Sequence, residues 1–310
     1  MHFFLLFHLI LEAPVRHIFC IFLLLTAPAF AAQNGKPVFW SLTPEHFNPA
    51  AKSHVGAGEV RFTDIVGTPD FDTNMRAISR GEIPPKCGIG EHLHRNMEEI
   101  FIVLNAPAQF TVNGRTALLP PRAMVVCRKG DSHGIFNPNT DKSLDWLYFA
   151  VSMERGVWGS IEFGNDLSKE KVESPPPFLW TVLDRRLLLP AANAHGGKGS
   201  ILFRRCWDKD TFQTNWEFID HCILPPGTSI GYHQHNMIEE VYFLVSGKGR
   251  STVNDTTWEV KAGDAIPCTI GDSHGLYNNS DQEIELVVFS AAKEKGARNT
   301  KNWGDDLTTR

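Results

Sequence analysis

The chain has little of what cross-links a protein, spans a membrane or grips nucleic acid. Its six cysteines fall to five (Cys87, Cys127, Cys206, Cys222 and Cys268) once the N-terminal segment is set aside, an odd number without close spacing. A dense disulfide framework is excluded, and Cys206 with Cys222 is the one bridge that stays compatible. Cys127 and Cys268 lie in apolar runs, the usual place of a buried free thiol. Basic residues form no cluster and the formal net charge is −5, so the electrostatic footprint of a nucleic-acid binder is missing. Small molecules are the expected partners. No segment keeps a helical period, and no apolar run reaches the roughly 18 to 20 residues that cross a bilayer.

Two N-terminal apolar blocks, 3–11 and 18–30, are separated by Glu12, Pro14, Arg16 and His17. The second has the charged start, apolar middle and small-residue end, Ala29-Phe30-Ala31, of a secretory signal. A signal peptide over 1–31, cleaved after Ala31, predicts a periplasmic or secreted protein with no stable membrane insertion after cleavage. The first block is out of place ahead of a signal, so synthesis is expected to begin near Val15. Phe19 ahead of Cys20 is too large for a lipoprotein signal, and no lipid anchor is expected.

What the chain does contain is a copy of itself. His92, His94, Glu99 and His133 recur as His233, His235, Glu240 and His274, each displaced by 141 positions. Between 83 and 137 the copies share 19 identities in 55 aligned positions, without insertion. Upstream, His54, Gly56 and Gly58 are matched by His195, Gly197 and Gly199 at the same distance. A period this long marks a duplicated domain, far above the length of a solenoid repeat. Pro175-Pro176-Pro177 cannot donate to a ladder and marks the break. The organisation read from this is a signal peptide at 1–31, an N-terminal arm at 32–53, a first domain at 54–174, a linker and lead-in segment at 175–194, and a second domain at 195–310.

Within each unit, short apolar runs are broken by turn residues. Strands are expected at 100–104, 110–112, 124–127 and 144–151, and again at 241–245, 251–253, 265–269 and 284–289. Hairpin turns are expected at Asn113-Gly114 and Asn254-Asp255. Short strands at such intervals favour an all-β sandwich or closed barrel. Phe39-Trp40 and Leu179-Trp180 lead into the two units, an echo that predicts equivalent packing of the lead-in segments, with the interface between the halves as one place for it.

Residues i and i+2 of a strand share a face, so His92 with His94 and His233 with His235 present paired imidazoles. Joined by His133 and Glu99, or His274 and Glu240, they make a charge-compensated site for a divalent first-row metal, with open positions for a substrate. The chain would hold up to two such ions, and Mn, Fe, Zn, Cu and Ni all suit the donors. Glu98 and Glu239 face away from Glu99 and Glu240; Phe101 and Tyr242 share the face of the second pair, which makes Glu99 and Glu240 the expected ligands. A lone His-x-His says little, but eight of the ten histidines after Ala31 fall in register-matched pairs. His46 and His221 have no such match and read as ordinary. His54 and His195 have two readings, an acid–base or substrate contact at a barrel mouth and a cap on strand entry.

These residues resemble the cupin superfamily, specifically the two-domain cupins typified by oxalate decarboxylases and germin-like proteins. The first motif of that family, His-x-His followed by a glutamate and then a glycine, appears as His233-Gln234-His235, Glu240 and Gly247. The second appears as Gly263, Pro267, His274 and Asn278. The first half departs from it with Ala106, Arg122 and Val126 in place of Gly247, Gly263 and Pro267. The resemblance implies a double-stranded β-helix, or jelly roll, for each half: two tandem barrels in an all-β chain.

The leading expectation is a non-redox metalloenzyme (a lyase, isomerase or decarboxylase) acting on a small carboxylate, sugar acid or sugar derivative. Tyr242 and His195 are the expected proton-moving residues. An iron- or copper-dependent dioxygenase is the enzymatic alternative. A metal-dependent small-molecule binding or storage protein without turnover is the other.

Overall fold

The computed structural model describes residues 29–33, 36–66 and 71–310. The signal peptide expected at 1–31 falls outside them up to residue 28, and the strand Ala29–Gln33 runs across its expected cleavage point. Every helix among the described residues is a three-residue 3-10 turn, and the rest of the regular structure is strand. The all-β expectation holds.

Each half is a pair of packed sheets. In the first, seven strands, from Asn48–Ala51 to Trp180–Val182, face a sheet of six; in the second, eight strands face a sheet of five. The strands Met97–Val103, Ala108–Val112, Ala123–Cys127 and Leu144–Ser152 match the expected runs of the first half, and Ile238–Ser246, Lys248–Val253, Asp264–Cys268 and Ile284–Ala292 those of the second, with only Leu104 and Thr269 left one residue beyond a strand end. Asn113, Gly114 and Asn254 take positive φ at the hairpin tips, the conformation that tight turns between strands require. Sequence periodicity missed the long strands Met75–Ile83 and Trp216–Leu224. Trp216–Leu224 is buried along its whole length and so lacks the alternation that marks a half-exposed strand, while in Met75–Ile83 the run Ala77-Ile78-Ser79 is buried without a break.

The lead-in strands are exchanged. Trp180–Val182 adds to Ala123–Cys127 with Trp180 opposite Val125, while Lys36–Ser41 adds to Asp264–Cys268 with Trp40 opposite Ala265. Each lead-in thus extends the sheet of the barrel that it does not precede in the repeat.

Apolar side chains form three clusters. One fills the first barrel around Phe101, Phe110 and Val125, and one fills the second around Phe218, Tyr242 and Leu276. The third lies between them and takes residues from both halves, including Ile78, Phe149, Ile219 and Phe289. All five cysteines from Cys87 to Cys268 are free. The compatible Cys206–Cys222 bridge is not made; Phe203 is the residue opposite Cys222, and Cys206 lies in an irregularity of its strand.

Candidate metal centres

Adjacent strands deliver the repeated ligands. His133 lies directly opposite His92, and His274 opposite His233. Glu99 and Glu240 come from the facing sheet. In each half one donor atom from each of the four residues lies within 4.8 Å of the others, and all eight residues are buried. The sequence-derived sets His92, His94, Glu99, His133 and His233, His235, Glu240, His274 are therefore brought together without exception.

The ring nitrogens show what the sets suit. Each Nδ1 faces a backbone carbonyl: Gly90 for His92 and Gly231 for His233 at 2.8 Å, Gly159 for His94 at 2.7 Å, Asn299 for His235 at 3.2 Å, and Asp131 and Asp272 for His133 and His274 at 3.4 Å. A carbonyl only accepts, so each Nδ1 carries the proton and each Nε2 offers a lone pair. The Nε2 atoms of His94 and His133 converge on Glu99 at 3.5 and 2.6 Å, those of His235 and His274 on Glu240 at 3.3 and 3.1 Å, and Nε2 of His233 is buried without a hydrogen-bond partner. Unsatisfied buried donors and acceptors are costly, and lone pairs converging beside a carboxylate are the arrangement that a divalent metal satisfies. The residues fit the ion.

Protonation follows from the surroundings. Burial, then the neighbouring histidines, holds His92 and His233 well below the ordinary imidazole range. Burial tends to raise Glu240, but hydrogen bonds and charge from His235 and His274 outweigh it and hold the carboxyl well below its usual range. Glu99 is lowered in the same way by His94 and His133. His133 and His235 go the other way: burial lowers them, but Cys127 and Glu99 outweigh it at the first and Glu240 at the second, so a bound ion would take the place of a proton there.

Glu98 and Glu239, read as facing away, do so for a purpose absent from the sequence reading. Glu98 accepts from the backbone N–H of Gln213 at 2.9 Å and of Thr214 at 2.7 Å, and from the Thr214 hydroxyl at 2.7 Å. Glu239 accepts from the N–H groups of Asp72 at 2.8 Å and Thr73 at 2.9 Å. Gln213 and Thr214 are the copies of Asp72 and Thr73, so each half grips the other through the same contact.

His54 and His195 lie parallel on ligand imidazoles, with ring centroids 3.6 Å from His92 and 3.8 Å from His233. Both residues have positive φ, a strained conformation that clusters at functional sites. A side chain at Gly56 would meet Gly88 O at 2.2 Å, and one at Gly197 would meet Ser229 O at 2.2 Å; the glycines let this turn lie against the ligand strand. The partners differ: Glu162 holds His54 Nδ1 at 3.0 Å, whereas Asn302 holds His195 Nδ1 at 3.0 Å.

Tyr242 is buried beside His274 at 5.5 Å between ring centroids, and burial, then Glu240, pushes its phenol well above the ordinary range. Phe101 takes its place in the first half, yet that half has a phenol as well. Tyr148 lies directly across the sheet from Phe101, where the partner of Tyr242 is Val288. The sequence comparison missed it because one extra residue between 137 and 144 changes the offset from 141 to 140.

Comparison with known proteins agrees with the fold. A family model described as Cupin domain matches residues 220–290. An oxalate-binding protein of Thermotoga maritima is 29% identical over 97 residues, 31% of this chain and 80% of that protein. An uncharacterized protein of Methanocaldococcus jannaschii is 29% identical over 92 residues, 30% of this chain and 73% of that protein. Among solved structures, Bacillus subtilis oxalate decarboxylase, with Mn(II) centres, superposes with a TM-score of 0.59 at 14% identity, covering 89% of this chain and 81% of that one. Salicylate 1,2-dioxygenase of Pseudaminobacter salicylatoxidans does so with a TM-score of 0.61 at 17% identity, over 76% and 77%. At these identities the structural likeness is one of fold.

Proposed function

From the premise that the chain has the two-barrel fold of the bicupins, we propose that it is an exported metalloenzyme acting on a small carboxylate, sugar acid or sugar derivative without net redox change. The observation that carries the reading is the survival of both complete ligand sets, with their Nε2 atoms converging; a protein kept only for its barrels has no need of eight buried ligands. A divalent ion held by His233, His235, Glu240 and His274, or by their counterparts, would polarise a substrate oxygen.

The side chains around the second set supply the rest. Burial lowers His195 from the ordinary imidazole range, so at neutral pH the ring is uncharged. Its Nδ1 is engaged by Asn302, which leaves Nε2 as the basic nitrogen, half-exposed beside His233. His195 is the residue placed to take a proton from a bound molecule. Tyr242 keeps its proton and steadies Glu240, and donation from its phenol is its second role in this reading. Export rests on the signal-like segment ending at Ala31.

The similarity to an oxalate-binding protein favours one second reading, ligand capture without turnover. Incubation of metal-loaded protein with a panel of small carboxylates and sugar acids, followed by product analysis and an oxygen electrode, separates the alternatives. Product without oxygen consumption supports the proposal, oxygen consumption supports a dioxygenase, and binding without product supports capture.

A further inference from the structure

The two barrels carry opposite charges at one matched and unusual position. Arg76 and Glu217 are 141 residues apart and so are copies. Each is the extra residue of a β-bulge: the ladder passes from Ala77 to Met75 opposite Ala150 and Val151, and from Phe218 to Trp216 opposite Ser290 and Ala291. Bulges re-aim side chains and recur beside active sites.

Their placement relative to the metal ligands is fixed by register. Ala77 lies opposite Ala150, and Ala150 opposite Glu99; Phe218 lies opposite Ser290, and Ser290 opposite Glu240. The bulged residue therefore adjoins the row that carries the ligand glutamate, two strands or ~10 Å away, within range of a long side chain and a small bound molecule together.

Both side chains hold an unsatisfied buried atom. Arg76 Nη1 and Glu217 Oε2 are each shielded from solvent without a hydrogen-bond partner. The neighbouring charges on the adjacent strand are also copies of one another and face these two: Asp64, which takes the Ser79 hydroxyl, interacts with Arg76, and Arg205, which makes two bonds of 2.9 Å to Asp220, interacts with Glu217, while Arg76 Nη1 and Glu217 Oε2 remain without a hydrogen bond. The Arg76 guanidinium lies 4.8 Å from the ring centroid of Trp158. Trp158 precedes Gly159, whose carbonyl holds His94, so this arginine packs against the segment that rims the first ligand set. In the second half the corresponding rim residue is Arg298, set over the Phe218 ring at 5.2 Å. Cation and aromatic ring have changed places between strand and rim.

We propose that Arg76 is the anion-recognising residue of the first metal centre, and that Glu217 in the same position makes the second centre reject anions, so that the two centres take different ligands. The first receives a small carboxylate, whose oxygens satisfy Nη1 through a charge-assisted bond. The second, where turnover is proposed, takes the uncharged member of the proposed substrate classes, a sugar derivative, whose hydroxyl donates a hydrogen bond to Glu217. The inference rests on the metal-centre reading for the position of the ligand, and on Arg76 and Glu217 for its charge.

The test is calorimetric titration of benzoate, a carboxylate with little tendency to strip metal, into zinc-loaded full-length protein, with zinc content measured on the same samples. Wild type is expected to bind one equivalent. Arg76→Gln should weaken that binding at least about tenfold, Arg76→Lys should recover part of it, and Glu217→Gln should leave the first site's affinity unchanged while admitting a second equivalent. Melting temperature and zinc content of the variants separate lost recognition from lost fold. Two equivalents in wild type, no binding at about 10 mM, or wild-type affinity in a folded, zinc-containing Arg76→Gln protein would each overturn the assignment. Absence of zinc from wild type, by contrast, would count against the metal centres themselves.

Discussion

Phe149 stacks on Phe289, and the two are copies of one another, 140 positions apart, with ring planes 14° from parallel. Two copies of a residue meet only on an axis that relates the halves, so the barrels are arranged about an approximate twofold. The crossed carboxylates Glu98 and Glu239 and the exchanged lead-in strands obey the same axis. That symmetry makes matched positions in the two halves fair controls for each other.

Metal content is the first expectation. The protein purified without a chelating tag should bind two divalent ions per chain on reconstitution, as elemental analysis would read. A total below about half an equivalent would contradict the converging ligand sets.

Neighbouring glutamates should fail in different ways. Glu240→Gln should remove one of the two ions, because it neutralises a ligand. Glu239→Ala should leave both ions bound and lower stability by about 3 kcal/mol, the cost of two charge-assisted bonds to Asp72 and Thr73. Chemical denaturation alongside metal analysis reads both, and equal metal loss in the two variants would show that the wrong glutamate has been assigned.

Turnover, once a substrate is found, is expected from the second centre. It keeps Gly247, Gly263 and Pro267, and its stacked histidine is paired with an amide where that of the first half has a carboxylate. His233→Ala should abolish activity, and His195→Gln should lower kcat by roughly a hundredfold with metal retained. His92→Ala should mainly lower stability, through the loss of a native-state ligand. Full activity in His233→Ala with none in His92→Ala would reverse the assignment.

Asp64 sets a pH dependence. Burial, against a smaller opposing effect of the Ser79 hydroxyl, raises its carboxyl from 3.8 to about 6. Between these values the folded state binds more protons than the unfolded one, so this group makes stability fall as pH rises from about 4 to about 6. Asp64→Asn should flatten that part of the stability curve, measured by denaturant melts across the range. An unchanged slope would show that the residue does not titrate there.

The ligand sets and the barrel class were legible because they depend on residue type and short spacing: a strand fixes His92 beside His94 and turns Glu98 away from Glu99 wherever the chain goes. Partners brought by distant strands were not. Tyr148, Glu162 and Trp158 follow the single-residue change in offset, which hid their equivalence to Val288, Asn302 and Arg298. Arg76 lies at a bulge, and nothing in a linear pattern distinguishes a bulged residue from its neighbours. Glu98 binds backbone N–H groups, which carry no sequence signature.

The exchanged lead-ins also order the assembly of the chain in time. A polypeptide emerging N-terminus first cannot complete its first barrel until Trp180–Val182 has appeared, and Lys36–Ser41 stays without its sheet until Asp264–Cys268 has been made. Closing a loop of that length is slow, and an unpaired strand edge invites association while it waits. The earliest part of the described chain is therefore among the last to settle, which suits the export proposed above.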